Sequence, residues 1–250
     1  MTAFARNEVI VSAGAIASPQ LLMLSGIGPA TILRKHGIPL VKNMPGVGQN
    51  LQSHVGTGEL IFTVDKPVSF NPVRLVPNPV NWINYFLNGD GPLAISGFES
   101  AGNIRTSNAL ANTSWPDVTI NFVGLHVNSD GGAIYRRSLN MKQSYYSHFS
   151  PIKLKEGFTL IPALLHPYSR GFITLKDSNP FKKPLIYSGF FKDARDTQTI
   201  VEAIKRTLEL VRKSHLLRKF GTKLYSKPNP ACYPRYNELR YRISRLDAEH

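Results

Sequence analysis

A short apolar run that leads straight into small residues and then a helix sets the architecture open to this chain. Glu8 to Ala13, EVIVSA, is rich in Val and Ile and predicts a buried strand. Gly14, Ala15 and Ala17 follow, then Ser18-Pro19. Ser18 suits a helix N-cap and Pro19 a first helical turn. Leu21, Leu22 and Leu24 supply an apolar face, and Gly26, Gly28 and Pro29 stop the helix. A second helix is expected from Pro29 to His36, ending at Gly37. Strand, small-residue turn and helix make one crossing of a parallel αβ layer.

The pattern then changes. Pro45-Gly46-Val47-Gly48 is a tight turn, and a polar segment continues through Asn50 to His54. Glu59–Val64 and Val118–Val123 read as strands, Pro67 to Pro79 as irregular chain, and Trp82 to Leu87 as a short helix ending at Gly89. Asp130 to Ser150 shows little periodicity and reads as a long loop. Phe158–Leu165 and Gly171–Leu175 are β-like and predict a hairpin around His166–Arg170. Asp196 to Ser214 is the best helix, with Ile200, Ile204, Leu208 and Val211 at helical spacing. The fold class expected is α+β or α/β: an incomplete doubly wound layer over 1–56, then a domain over 57–228 on a mixed or antiparallel sheet flanked by helices, then an irregular basic tail over 229–250.

At Ser12 to Pro29, SAGAIASPQLLMLSGIGP resembles the second signature of the glucose–methanol–choline (GMC) oxidoreductases. The matching pieces are Gly14-Ala15, Ser18-Pro19, Leu22-Met23 and Ser25-Gly26-Ile27-Gly28. This long pattern of fixed spacing is far more specific than a lone glycine motif. His36-Gly37-Ile38-Pro39 and the stretch from Pro45 to Gln52 resemble the family's segment just C-terminal to that signature. Gly91-Pro92-Leu93, Trp115-Pro116-Asp117, Ser169-Arg170-Gly171, Asn179-Pro180 and Arg218-Lys219-Phe220-Gly221 are similar to the substrate domain of the insect-type glucose dehydrogenase branch.

The resemblance implies an FAD enzyme in which a substrate CH–OH group gives a hydride to flavin N5 and a histidine takes the proton. It implies a small alcohol or sugar substrate and is compatible with a quinone-like electron acceptor. The chain is expected to be a C-terminal portion. No G-x-G-x-x-G, the turn that cradles the pyrophosphate, stands in it. The family's catalytic histidine motifs are expected beyond its end, so no catalytic residue is assigned here, and terminal His250 is not promoted. A catalytically dead substrate domain acting as a binding module is the alternative. Relatives usually carry Asn at Ala17 and Asp at Ser53.

The cofactor-binding candidates are Ala13, Gly14, Ala15, Ser18, Asn50 and His54. For Gly14 and Ala15, close approach of the dinucleotide competes with a tight turn packed on a neighbouring strand. Ser18 reads first as a cap, with a hydroxyl able to touch the cofactor. Asn50 and His54 are placed near the flavin by the resemblance, against a plain solvated turn. Glu99 and Ser100 read as a surface loop, and Ser169-Arg170-Gly171 as a hairpin turn.

Composition narrows the rest. The formal net charge of +14 raises a nucleic-acid or membrane partner, but no nucleic-acid motif accompanies it and none is expected. No apolar run reaches the ~18 residues of a membrane span. His126, His148, His166 and His215 form no metal-ligand spacing, so no metal is expected. The lone Cys232 permits no internal disulfide and has no activating partner in sequence. The sequence assigns no compartment.

Overall fold

A computed structural model describes residues 4–58, 60–109 and 114–227. Glu59, Cys232, His250 and the basic tail at 229–250 lie outside the described residues. In chain order the elements are α1 (Gly14–Leu24), β1 (Ile27–Gly28), α2 (Ala30–Lys35), β2 (Lys42–Asn43), β3 (Ile61–Thr63), α3 (Pro72–Leu75) and α4 (Pro79–Asn88). Then come β4 (Phe98–Ile104), β5 (Val118–Val123), α5 (Tyr135–Ser138), α6 (Gln143–Tyr146), a 3-10 turn (Ser147–Ile152) and β6 (Gly157–Leu164). The last are β7 (Phe172–Thr174), β8 (Leu185–Tyr187), α7 (Ala194–Lys213), α8 (His215–Lys219) and β9 (Lys223–Leu224). This is a mixed helix-and-sheet fold. It divides into two compact units, one of residues 1–55, 107–113 and 164–201, the other of 56–106, 114–163 and 202–250.

In the first unit Met23, Leu33 and Leu175 are buried together, with Leu24, Ile32, Ile38 and Val47 against them. β1 and β2 pair in parallel, Ile27 opposite Lys42. The buried strand expected at Glu8–Ala13 does not form. The segment is irregular and solvent-exposed, with Val9 and Ile10 80 and 79% accessible. A strand needs a neighbour to satisfy its backbone N–H and C=O groups, and none lies alongside among the described residues.

Helix α1 also begins earlier than expected. Its cap is Ala13, so Ser18 and Pro19 sit inside it rather than at its start. The expected stop holds: Gly26 takes φ +82 just past the C-cap, Ser25. Helix α2 matches its expected span within a residue at each end, and Gly37 follows it at φ +65.

The predicted hairpin between 158–165 and 171–175 is a second correction. β7 pairs antiparallel with β8, Ile173 opposite Ile186, and Gly171 is bridged to Leu51. Gly171 donates to the Leu51 carbonyl at 2.8 Å and accepts from the Leu51 N–H at 2.9 Å. Those backbone groups are therefore committed to a partner 120 residues away in sequence, which no local turn pattern reveals.

The second unit is built on a five-stranded sheet ordered β4-β5-β6-β3-β9. The pairings β4–β5, β3–β6 and β3–β9 are antiparallel. Phe158 on β6 stacks between Phe122 on β5 and Phe62 on β3, with ring centres 5.1 and 5.2 Å away. A further core gathers Ile61, Val127, Tyr146, Phe149 and Ile152. Glu99 and Ser100, expected in a loop, lie in β4. Its sequence, FESAGNI, has weak strand propensity, and pairing with β5 decides its conformation.

Asp130 to Ser150, expected as a long loop, holds α5, α6 and the 3-10 turn. Asp130 starts this run by accepting from the N–H groups of Gly132, Ile134 and Tyr135 at 2.8, 2.6 and 2.9 Å. Single turns are too short to display a helical period in sequence. Glu156 ties α3 to the sheet, accepting from Ser69 and from Arg74 at 3.0 Å. Burial pushes its pKa up, but the Arg74 and Ser69 hydrogen bonds outweigh this and leave it lowered.

Candidate functional site

Two pieces of the first unit carry the sequence candidates. One is the start of α1. Gly14 has φ +83, a conformation that costs an L-residue about 1–2 kcal/mol and glycine almost nothing. No atom lies within 4 Å of where its Cβ would stand. The glycine therefore serves the backbone turn and leaves open space above it; it is not packed on a neighbouring strand. Ala13, Gly14 and Ala15 are exposed. Ser18, half-buried, accepts a hydrogen bond from the Ala13 N–H at 3.0 Å through Oγ. It holds the turn from inside the helix instead of capping its first residues. The N-cap Ala13 offers no side-chain acceptor, and the first turn carries no acidic residue. An eleven-residue helix whose first residues are exposed and whose N-cap makes no side-chain bond carries partial positive charge at that end, suited to an anionic group.

The other piece is the loop from Pro45 to His54. Gly48 has φ +81, and its carbonyl accepts from the Ile173 N–H at 2.7 Å. A Cβ on Gly48 would collide with the Ile173 carbonyl. Asn50 is left-handed at φ +60, and its Oδ1 accepts from Arg170 Nε at 2.9 Å. Arg170 also donates to the carbonyls of Pro167 and Ser169. Asp196, at the start of α7, accepts from the N–H groups of Tyr168 and Ser169 at 2.7 and 2.8 Å. The Ser169 hydroxyl accepts from the Asp193 N–H at 3.0 Å. Arg195 lies 3.7 Å over the Tyr168 ring and pairs with Asp193, whose carboxyl it holds down at about 2.

So Ala13 meets Ser18, and Asn50 is held by Arg170, but among the described residues no hydrogen bond joins the two groups. His54 is exposed; its carbonyl accepts a 3.4 Å bond from the Ser53 hydroxyl. Arg170 and Asp196 were missed as residues that shape this region. The Ser169-Arg170-Gly171 motif was visible, but its reading as a local hairpin turn hid the reach of Arg170 to Asn50.

His126 in the second unit is fully buried. Its Nδ1 accepts from the Asn128 N–H at 3.2 Å, which leaves Nε2 to donate to the Lys155 carbonyl at 3.0 Å. Burial lowers its pKa, against smaller raising effects from the Lys155 carbonyl, Asp130 and Glu156. Between the lowered folded value and the unfolded value, about 6.5, the unfolded chain binds a proton that the folded chain does not. This contribution to stability is present above about pH 6.5 and is lost as pH falls through the folded pKa. The imidazole is expected to titrate below about 6.5 by NMR in the folded chain; a midpoint at or above that value would contradict it. Among the described residues no cluster of three His, Cys, Asp or Glu could hold a metal ion.

Models of the GMC oxidoreductase family match residues 1–56 and 167–249, which include both pieces of this region. The oxygen-dependent choline dehydrogenase of Yersinia pestis (strain Pestoides F) is 34% identical over 211 residues, 84% of this chain and 33% of the relative. That of Burkholderia pseudomallei (strain 1710b) is 34% identical over 225 residues, 90% of this chain and 36% of the relative. The chain thus spans about a third of the length of these curated relatives. A formate oxidase structure from Aspergillus oryzae RIB40, solved in a study of FAD modification, superposes with a TM-score of 0.73. It is 24% identical, with 93% of this chain and 42% of that chain covered, a likeness of fold alone. With family models matched at both ends and the fold shared in between, the chain belongs to the GMC oxidoreductases, a family of FAD-binding flavoproteins.

Proposed function

We propose that this chain contributes part of the cofactor domain and most of the substrate domain of an FAD-dependent oxidoreductase that acts on the CH–OH group of a small alcohol or sugar. The observation that carries this reading is the start of α1, where Gly14 leaves space that a Cβ would occupy and the helix presents its N–H groups without a side-chain cap. The residues present fit the approach of an anionic dinucleotide at that end. FAD, when bound, supplies a hydride acceptor at flavin N5. The backbone N–H groups of Gly14 and Ala15 would take its anionic part, with Ala13 beside them held in the turn by its N–H bond to Ser18. Asn50 and His54 would line the cofactor from the second loop, whose path Arg170 sets. The histidine base that takes the hydroxyl proton is assigned outside this chain. The alcohol class rests on the choline dehydrogenase relatives, and a quinone-like acceptor on the resemblance to insect glucose dehydrogenases.

The test is titration of FAD with the purified chain, read by flavin fluorescence, with Gly14→Glu as the control. A carboxylate beside the helix N-terminus repels the anion and is expected to weaken binding by about tenfold or more. Binding indifferent to this substitution would remove Gly14 from the site. An absence of FAD binding, with the fold intact, is the result a chain holding only part of the cofactor domain would give; tight stoichiometric binding would overturn the reading of this chain as a portion of the enzyme.

A further inference from the structure

Between Phe70 and Gly97 the chain leaves the sheet of the second unit and returns to the residue it left. The Gly124 carbonyl accepts from the Phe70 N–H at 2.5 Å, and the Gly124 N–H donates to the Gly97 carbonyl at 2.8 Å. Both roots of the excursion are thus pinned to one residue, just past the end of β5. Gly97 turns the chain at φ +84, where a Cβ would stand 2.8 Å from the Leu125 side chain. Inside the excursion the two helices are tied to each other. Asn71 and Asn78 cap α3 and α4 by accepting from the Val73 and Val80 N–H groups, with Pro72 and Pro79 at the first helical positions. From α4, Asn81 donates to the Leu75 carbonyl at 2.8 Å and Trp82 to the Val76 carbonyl at 2.7 Å. Among the described residues, every hydrogen bond made by residues 75–96 ends within 71–97.

Among the described residues, two side chains of 71–96 bond beyond the excursion. Asn71 donates to the Leu154 carbonyl at 3.1 Å. Arg74 donates through Nε to Glu156 Oε1 at 3.0 Å and through Nη2 to the Ser69 carbonyl at 2.6 Å. Glu156, beside the start of β6, also accepts at Oε2 from the Ser69 N–H and hydroxyl at 3.1 and 2.6 Å. We propose that residues 71–96 form a flap that swings as one body about roots at Phe70 and Gly97 and is held shut by the Arg74–Glu156 pair. Two segments anchored on one residue can rotate about it but cannot slide past it, and hinges are commonly a few residues at element ends. The ties of Asn81 to Leu75 and of Trp82 to Val76 carry α3 and α4 together. The pair is the weakest attachment: its side chains are 39 and 18% exposed, and ion pairs in reach of solvent hold weakly. Segments whose attachments are few and solvent-accessible open before the sheet they hang from. Parting Arg74 from Glu156 leaves Ser69 bonded to the carboxylate and to the Gly157 N–H, so the root stays in place while the flap moves. The inference stands apart from the oxidoreductase reading, since it uses neither FAD nor the first unit.

The experiment is amide hydrogen exchange of the whole chain, read by mass spectrometry, in the parent and in Arg74→Gln and Glu156→Gln. In the parent, the amides of α3 and α4 should be protected, yet exchange faster than those of β5 and β6. In Arg74→Gln, α3 and α4 should exchange faster together, by about fivefold or more, with β5 and β6 unchanged. Glu156→Gln should release the same segment through the other partner, and the double variant should exchange like Glu156→Gln alone, because both substitutions remove one contact. Exchange unchanged in both single variants would overturn the latch. Acceleration of α4 without α3 would overturn motion as one body. Acceleration that spreads through β5 and β6 would assign the pair to the stability of the sheet and overturn the flap. Amides of 72–96 that are already unprotected in the parent would show that no closed state exists, which overturns it as well.

Discussion

Asp196→Ala is expected to destabilise the first unit by about 3 kcal/mol or more. The carboxylate is 2% exposed and accepts from two backbone N–H groups, those of Tyr168 and Ser169, at 2.7 and 2.8 Å. Hydrogen bonds to a charged acceptor contribute about 1.5–3 kcal/mol each, and a buried donor left unmade costs about 1–3 kcal/mol. Asp196→Asn should recover only part of the loss. Its single carbonyl oxygen satisfies one N–H and turns an NH2 group toward the other. The measurement is urea unfolding followed by circular dichroism. An alanine variant within about 1 kcal/mol of the parent would show that water replaces the carboxylate and that the turn at Tyr168 does not depend on it. Release of this turn should also loosen Arg170, which donates to the carbonyls of Pro167 and Ser169 while holding Asn50.

The second large effect is expected at Gly48. Substitution by alanine meets two obstacles at once: φ is +81, and the new Cβ would strike the Ile173 carbonyl. The left-handed backbone costs about 1–2 kcal/mol and forced displacement of packed backbone about 1–3 kcal/mol, so a loss of about 3 kcal/mol is anticipated. The neighbouring Gly46 supplies the control, since nothing lies within 4 Å of its Cβ position and its φ is not positive. Gly46→Ala should be close to neutral. Equal unfolding midpoints for the two variants would refute the argument. In the proposed enzyme, Gly48→Ala should also weaken FAD binding through the displaced Asn50, whereas Gly46→Ala should not.

Elements with a complete local signal were legible in the sequence. Helix α2 lies between Pro29 and Gly37, α4 ends at left-handed Gly89, and α7 repeats its apolar residues at helical spacing. β5 falls on Val118–Val123 because alternation and β-branched residues coincide there. The fixed spacing from Gly14 to Gly28 carried the family, since a signature of that length rarely recurs by chance.

The folded chain settled whatever depends on a distant partner. EVIVSA has the composition of a buried strand, yet it stays exposed, because composition cannot supply the neighbouring strand that its backbone requires. FESAGNI, with little strand propensity, becomes β4 because β5 pairs with it. The segment at 171–174 has no local hairpin partner: Gly171 bonds to Leu51 and β7 pairs with β8, while residues 164–201 return to the unit begun by 1–55. Arg170 could be recognised as a motif residue, but only the folded chain shows it bonded to Asn50. Residue order alone was enough for the family and for the helices whose start and stop are written locally. Strand pairing and the closing of the Asn50 loop came from contacts between residues far apart in the chain, where hydrogen-bond saturation and packing outweigh local preference.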